Sequence, residues 1–314
     1  MKLLNLINQY ITYRKSLGQE FGTTGCSLKK FCYSVGKHTD PNKISIKKVN
    51  AFLYGNAESL TSYWFYKYSI LAGFYRYSIS RGYINKSPLP TILPKRPVSF
   101  VPYIYTRKEL RSLFETALTY QQRENLMQPY MSRVLLILLY CTGLRIREAM
   151  SLTMADVDLS QSLLVVRGTK FHKTRLVPYG EQLSKIIFNY IVWRRRNEYS
   201  QEKSSPFFID RDGKFISTQV VQTMFRKIRK KADIQRTDQS RYQPRLHDLR
   251  HSFAVHRLTS WYQQKADVQK LFPILSVYMG HSSPCSTSVY LTMTAELLHE
   301  AGNRFEQYAI GGVK

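Results

Sequence analysis

The chain has 314 residues, with 47 Lys plus Arg against 21 Asp plus Glu and a formal net charge of +26. So large a surplus opposes folding by self-repulsion and points to a polyanionic partner. Hydrophobic residues make up 43% and aromatics 13%, which supplies cores and excludes a disordered basic tail. The four cysteines (Cys26, Cys32, Cys141, Cys285) include no Cys-x-x-Cys pair. They do not form a disulfide framework or a cysteine zinc site, and they fit a reducing compartment. The N-terminal apolar run meets Asn8, Gln9 and Arg14 too soon for a secretory signal, and the longest run, 134–141, is too short to span a membrane. These features predict a soluble cytoplasmic protein.

In chain order, Leu3, Leu4, Ile7 and Ile11 recur at helical spacing until Gly18, and Leu28, Phe31, Cys32 and Val35 make a second stripe. Ser45 caps a third helix carrying Val49, Phe52 and Leu53, which stops at Gly55. Residues 59–81 form a fourth, closed by Gly82. With no strand signal between them, residues 1–87 predict a four-helix domain. On its last helix Lys67, Arg76 and Arg81 fit a face laid on DNA, while the neighbouring tyrosines read first as packing. Five of the 12 prolines fall within 88–102 and predict an extended linker over 88–105.

The segment 106–314 opens on a capping box, Thr106-Arg-Lys-Glu109. A buried helix over 131–140 ends at Gly143, and the turn after it delivers Arg145. Strands at 163–167 and 174–177 flank a turn at 168–173, and 207–210 is a candidate third strand. A further helix is apolar at Val220, Val221, Met224, Phe225 and Ile228 and basic at Arg226, Lys227, Arg229, Lys230 and Lys231. The fold class is mainly α with a small antiparallel β-sheet, in two domains.

Three clusters carry chemistry: Cys141-Thr-Gly-Leu-Arg145-Ile-Arg-Glu148, Leu246-His247-Asp-Leu-Arg250-His251, and Met279-Gly-His281 followed by Tyr290. Singly, each has an ordinary reading as an ion pair, a solvated helix face, a helix cap or a packing tyrosine. His247 and His251 at i, i+4 could hold a metal, but the pattern is not His-Glu-x-x-His and no third ligand is evident.

Together, Thr142-Gly-Leu-Arg145, Lys170 on the hairpin turn, His247-Asp-Leu-Arg250, Met279-Gly-His281 and Tyr290 nine residues after His281 resemble the tyrosine recombinases. These form the phage integrase family, which includes Xer-like integrases and transposases of mobile elements. The resemblance implies an N-terminal core-binding (SAM-like) helical domain and a C-terminal catalytic domain. It implies site-specific cleavage and rejoining of DNA through a 3′-phosphotyrosyl intermediate formed by Tyr290, with no metal, ATP or other cofactor. Arg145 and Arg250 would bind the phosphate oxygens, His247 would take the phenol proton, Lys170 would protonate the leaving 5′-oxygen, and His281 would bond the phosphate. Lys173 shares the turn and is the alternative acid.

The implied partners are double-stranded DNA with inverted repeats, three further copies in a tetramer on DNA, and partner recombinases or accessory DNA-bending proteins. The implied place is the bacterial cytoplasm, at the nucleoid. Relaxation of DNA by a type IB topoisomerase, or DNA binding without catalysis, remains open at this point. Arg147 stands where a small polar residue is commoner. Arg250 and His281 lie 31 positions apart, longer than usual, so an enlarged loop or helix is expected around 261–274. The tail, 295–314, is either the last helix of its own domain or an arm on a neighbouring protomer.

Overall fold

A computed structural model describes residues 2–56, 60–97, 101–120, 127–168, 174–238, 240, 242–281, 283, 285–293 and 295–311. The chain divides into two compact units, Met1–Phe100 and Val101–Lys314.

The first unit holds α1 (Leu3–Ser16), α2 (Gly22–Val35), α3 (Ile46–Tyr54) and α4 (Ser62–Ser80). Ser45 caps α3 by accepting from the Lys48 amide, and Gly55 ends it with φ 58°. Thr61 precedes α4, so the helix starts later than the sequence predicts; Ser59 lies outside the described residues. The apolar stripes meet in one core that includes Leu3, Ile7, Leu28, Phe31, Val49 and Phe74. Leu89 belongs to the same core, and Tyr68 Oη donates to the Pro90 carbonyl. At the other end of the proline-rich stretch Tyr105 is fully buried in the core of the second unit. The segment free of both cores is therefore shorter than 88–105.

The second unit begins with α5 (Arg107–Thr119), whose capping box forms as predicted: the Glu109 amide donates to Thr106 Oγ1, and the Thr106 amide to Glu109 Oε2. Then come α6 (Pro129–Thr142), α7 (Ile146–Met150), β1 (Val157–Asp158), β2 (Leu163–Val166) and β3 (Arg175–Pro178). The strands form an antiparallel sheet in the order β1-β2-β3. They are followed by α8 (Glu181–Arg196), α9 (Thr218–Lys231), α10 (Asp248–Gln263) and α11 (Val268–Met279). The short α12 (Cys285–Ser288), a 3-10 turn (Val289–Thr292) and α13 (Ala295–Gly311) complete the chain. Helix α6 is the centre of this unit: every side chain over 134–139 is buried, and α5, α8 and α10 pack around it.

The predicted third strand at 207–210 is not a strand. Its neighbourhood makes only isolated bridges, Thr153 with Pro206 and Ile209 with Phe215, while Phe207 and Phe208 are fully buried. A short apolar run reads the same whether it enters a ladder or a core, and Pro206 has no amide to give a ladder. The third strand is β1, which at two residues has no periodicity to detect. The long interval between Arg250 and His281 is mostly helical, as α10 runs past Trp261 and α11 follows.

A second, smaller core in this unit gathers Phe253, Leu258, Leu275, Met279, Tyr290 and Leu297. Leu297 ties the start of α13 to α10 of its own chain, whereas Phe305 and Ile310 further along are exposed. Among the described residues no helix is long and apolar enough to cross a membrane.

Candidate active site

Arg145 owes its place to the end of α6. Gly143 adopts φ 62°, and an added Cβ there would lie 2.5 Å from the Phe253 ring, so only glycine allows this reversal. Arg145 then caps α7 through Glu148: its amide donates to Glu148 Oε2 at 2.9 Å and its Nη1 to Oε1 at 2.8 Å. Burial pushes the Glu148 carboxyl upward, but hydrogen bonds and charge from Arg175 and Arg145 prevail and hold it at about 2.

The C-terminus of α11 gathers three arginines on three consecutive carbonyls. Arg175 Nε donates to Tyr278 O at 3.1 Å, Arg250 Nη2 to Met279 O at 2.8 Å, and Arg145 Nη2 to Gly280 O at 3.0 Å. A helix leaves its last carbonyls unpaired and carries partial negative charge there, so guanidiniums are favoured partners. Gly280, at φ 70°, ends the helix, and a Cβ on it would lie 2.8 Å from Arg175 Nη1. Arg250 is only 2% exposed and also donates to Gly143 O. Burial and the nearby Arg145 charge lower its pKa to about 10, which leaves it a cation at neutral pH.

Tyr290, in the 3-10 turn, is 3% exposed. Its ring lies between His251, at 5.5 Å between centroids, and His281, at 6.1 Å and nearly parallel. Burial raises the phenol pKa, while the charge and hydrogen bond of Arg250 and the charge of Arg145 oppose that rise. His281 Nδ1 is bonded to Thr287 Oγ1 at 2.6 Å, which leaves Nε2 for another partner. His247 precedes α10, is exposed, and touches His251 edge to face at 4.9 Å. Partial burial and the arginines around them lower the pKa of His247, His251 and His281, so all three are neutral at pH 7.

The description "Phage integrase family" belongs to the family model that matches residues 105–296. A Sinorhizobium fredii (strain NBRC 101917 / NGR234) protein described as an integrase/recombinase, y4rB, is 31% identical over 303 residues, covering 96% of each chain. This chain belongs to the phage integrase family. It is a tyrosine recombinase, an enzyme of site-specific DNA recombination. The tyrosine recombinase XerC of Pediococcus pentosaceus is 26% identical and covers 97% of this chain and 98% of its own. The Tn1549 transposon integrase, solved with transposon right end DNA, superposes with a TM-score of 0.70 at 16% identity, covering 98% of this chain and 100% of its own. A lambda integrase dimer bound to a COC′ core site gives 0.66 at 16% identity, covering 93% and 78%. These two likenesses show the shared fold.

In the recombinase, Arg145, His247, Arg250, His281 and Tyr290 converge on one face, although sequence separates the first from the last by more than a hundred positions. Lys170 and Lys173 lie outside the described residues. Two residues of the site had no role in the sequence reading, Glu148 and Arg175. The signal for Arg175 was present: it shares the inward face of β3 with buried Val177, whereas Leu176 between them is exposed. A charge on an inward strand face needs a partner.

The basic residues proposed for DNA divide by environment. Arg76, Arg226, Lys227 and Lys230 are exposed, and exposed Arg81 lies over the rings of Tyr13 and Tyr77. Lys67 is a correction. Its ammonium turns inward to the carbonyls of Phe52 (2.7 Å) and Leu53 (3.2 Å) at the end of α3, so it caps a helix rather than facing a phosphate. Arg229 likewise donates to Ile234 O and Gln243 Oε1, holding the segment that follows α9.

Proposed function

We propose that Tyr290 Oη attacks a phosphodiester of a double-stranded DNA site, forming a 3′-phosphotyrosyl bond and releasing a 5′-hydroxyl. A 5′-hydroxyl from a second site then attacks that bond, which exchanges strands without ATP because the phosphotyrosine stores the bond energy. The observation that carries the reading is the placing of Tyr290 beside Arg250 and between two histidines, where Arg145 also converges. Negative charge grows on the non-bridging oxygens as the phosphorus becomes pentavalent. Two guanidiniums fixed by backbone carbonyls meet it without rearranging, in the place where a nuclease would use a metal ion.

Forming phenolate from an ordinary tyrosine at pH 7 costs about 4 kcal/mol. The two arginines reduce that cost, and a neutral His247 accepts the proton. Lys170 protonates the leaving 5′-oxygen, and His281 Nε2 bonds a phosphate oxygen. Because Tyr290 is buried, it must be uncovered when DNA arrives.

In this reading residues 1–87 and 106–314 both bind the duplex. Arg76, Arg81, Arg226, Lys227 and Lys230 contact phosphates, so affinity falls steeply with salt. Four copies act on two inverted-repeat sites, and the protein works in the bacterial cytoplasm at the nucleoid. The transposon and phage integrases among its structural neighbours favour the integration or excision of a mobile element.

The test is a nicked duplex built from the inverted repeats that flank the gene, which traps a cleaved strand on the protein. Wild-type protein should form the covalent adduct, and Tyr290→Phe should lower it by at least about 10⁴-fold. An equal yield from the two proteins would sink the proposal. Relaxation of a single-site plasmid without recombinants would instead favour a topoisomerase.

A further inference from the structure

We infer that Arg175 is a positioning residue for cleavage, which sets the Arg145 guanidinium through the carboxylate the two share. The inference rests on the phosphotyrosyl reading above. Arg175 grips Glu148 with both ends of its fork, Nη1 to Oε1 at 3.0 Å and Nη2 to Oε2 at 2.8 Å. Arg145 holds the same carboxylate through its Nη1 and its amide. The Arg175 side chain is 11% exposed and that of Arg145 39%, so the inner arginine anchors and the outer one faces solvent.

Among the described residues, the remaining partner of Arg175 is Tyr278 O. Its guanidinium also occupies the space over Gly280, next to His281. It stands at the start of β3, two residues after Lys173 in the sequence. One half-buried cation thus links the Arg145 turn, strand β3 and the Gly280–His281 cap. A carboxylate gripped by two arginines has one low-energy placement, and a guanidinium bonded to it inherits that placement.

The nicked duplex measures this directly, with full-length protein at saturating concentration. Arg175→Ala should slow adduct formation about 100-fold, the loss that a displacement of order 1 Å brings, while DNA affinity stays within about threefold. In an Arg145→Ala background the same change should add less than about threefold, because its route of action is gone. A second arm replaces the scissile phosphate by a neutral methylphosphonate, which develops less charge for an arginine to meet. Arg145→Ala and Arg175→Ala should both approach wild type on that substrate, whereas a merely structural defect would slow both substrates alike.

Glu148→Gln keeps the shape and removes the shared charge, so it should reproduce Arg175→Ala; it also provides the comparison if Arg175→Ala folds poorly. Additive losses in the double variant, or an equal defect on the two substrates, would overturn the inference and leave the recombinase reading intact. Absence of an adduct from wild-type protein would overturn both.

Discussion

In the first unit exposed Arg81 lies over the rings of Tyr13 and Tyr77, whereas in the second Arg194 and Arg250 are buried, and Arg175 is half-buried, with their donors fixed on protein oxygens. A cation over a ring keeps most of its water and can move to meet a phosphate backbone. A buried guanidinium cannot move, and folding has already oriented it. The first arrangement suits binding by charge without demanding geometry; the second suits the stabilisation of one developing charge at one point. The same residue type is thus suited to two ends, according to whether carbonyls or solvent surround it.

The most severe way to break the contrast is Arg250→Ala. It removes a charge-stabilising donor and leaves the Gly143 and Met279 carbonyls without their arginine. Cleavage should fall about 10²–10³-fold, and urea denaturation should show a loss of roughly 1–3 kcal/mol for each orphaned carbonyl. Unchanged cleavage at full DNA occupancy would mean that the buried arginine is structural alone.

Acid should affect the second unit next. Burial and neighbouring arginines hold His251 at about 3 and His281 at about 4, below the ordinary 6.5. Between pH 6.5 and about 4 the unfolded chain binds protons that the folded chain refuses, so stability falls as pH drops through that window. Glu148, held at about 2 against an ordinary 4.5, adds a further loss below about pH 4.5. The thermal midpoint followed from pH 7 to 5 should fall; a flat profile would show that the histidines are not held neutral.

The gentlest tests separate two cations, Lys67 on α4 and Arg81 just after it. Arg81→Ala should reduce the salt slope of DNA binding by about 1 and leave the rate of cleavage at saturation unchanged. Lys67→Met should leave that slope unaltered and instead destabilise the first unit by about 1 kcal/mol, since its bonds to Phe52 and Leu53 carbonyls are lost. If Lys67→Met lowers the slope as Arg81→Ala does, the inward placement of Lys67 does not hold in solution.

Most elements of the fold were legible in the sequence because local bonds make them. Ser45 caps α3, Thr106 and Glu109 cap each other, Gly143 reverses the chain after α6, and Gly280 ends α11, each within a span of a few residues. Arg145, His247, Arg250 and His281 each sit at a helix end, where spacing is written locally, whereas Tyr290 lies in a 3-10 turn and stood out only by its distance from His281. The run at 207–210 misled because apolar character alone does not distinguish a core plug from a strand. Lys67 misled because its acceptors lie 14 and 15 positions away, beyond any helical spacing.

What the sequence determined by itself, then, is which side chains stand at which turns. Tertiary structure alone decided what those side chains hold: that Arg145 reaches Gly280 across 135 positions, that Arg175 reaches Tyr278 across 103, and that both close on one carboxylate. A turn is fixed by the dihedral preferences of a few neighbours. A hydrogen bond between distant segments depends on how whole helices pack, and local spacing does not record that.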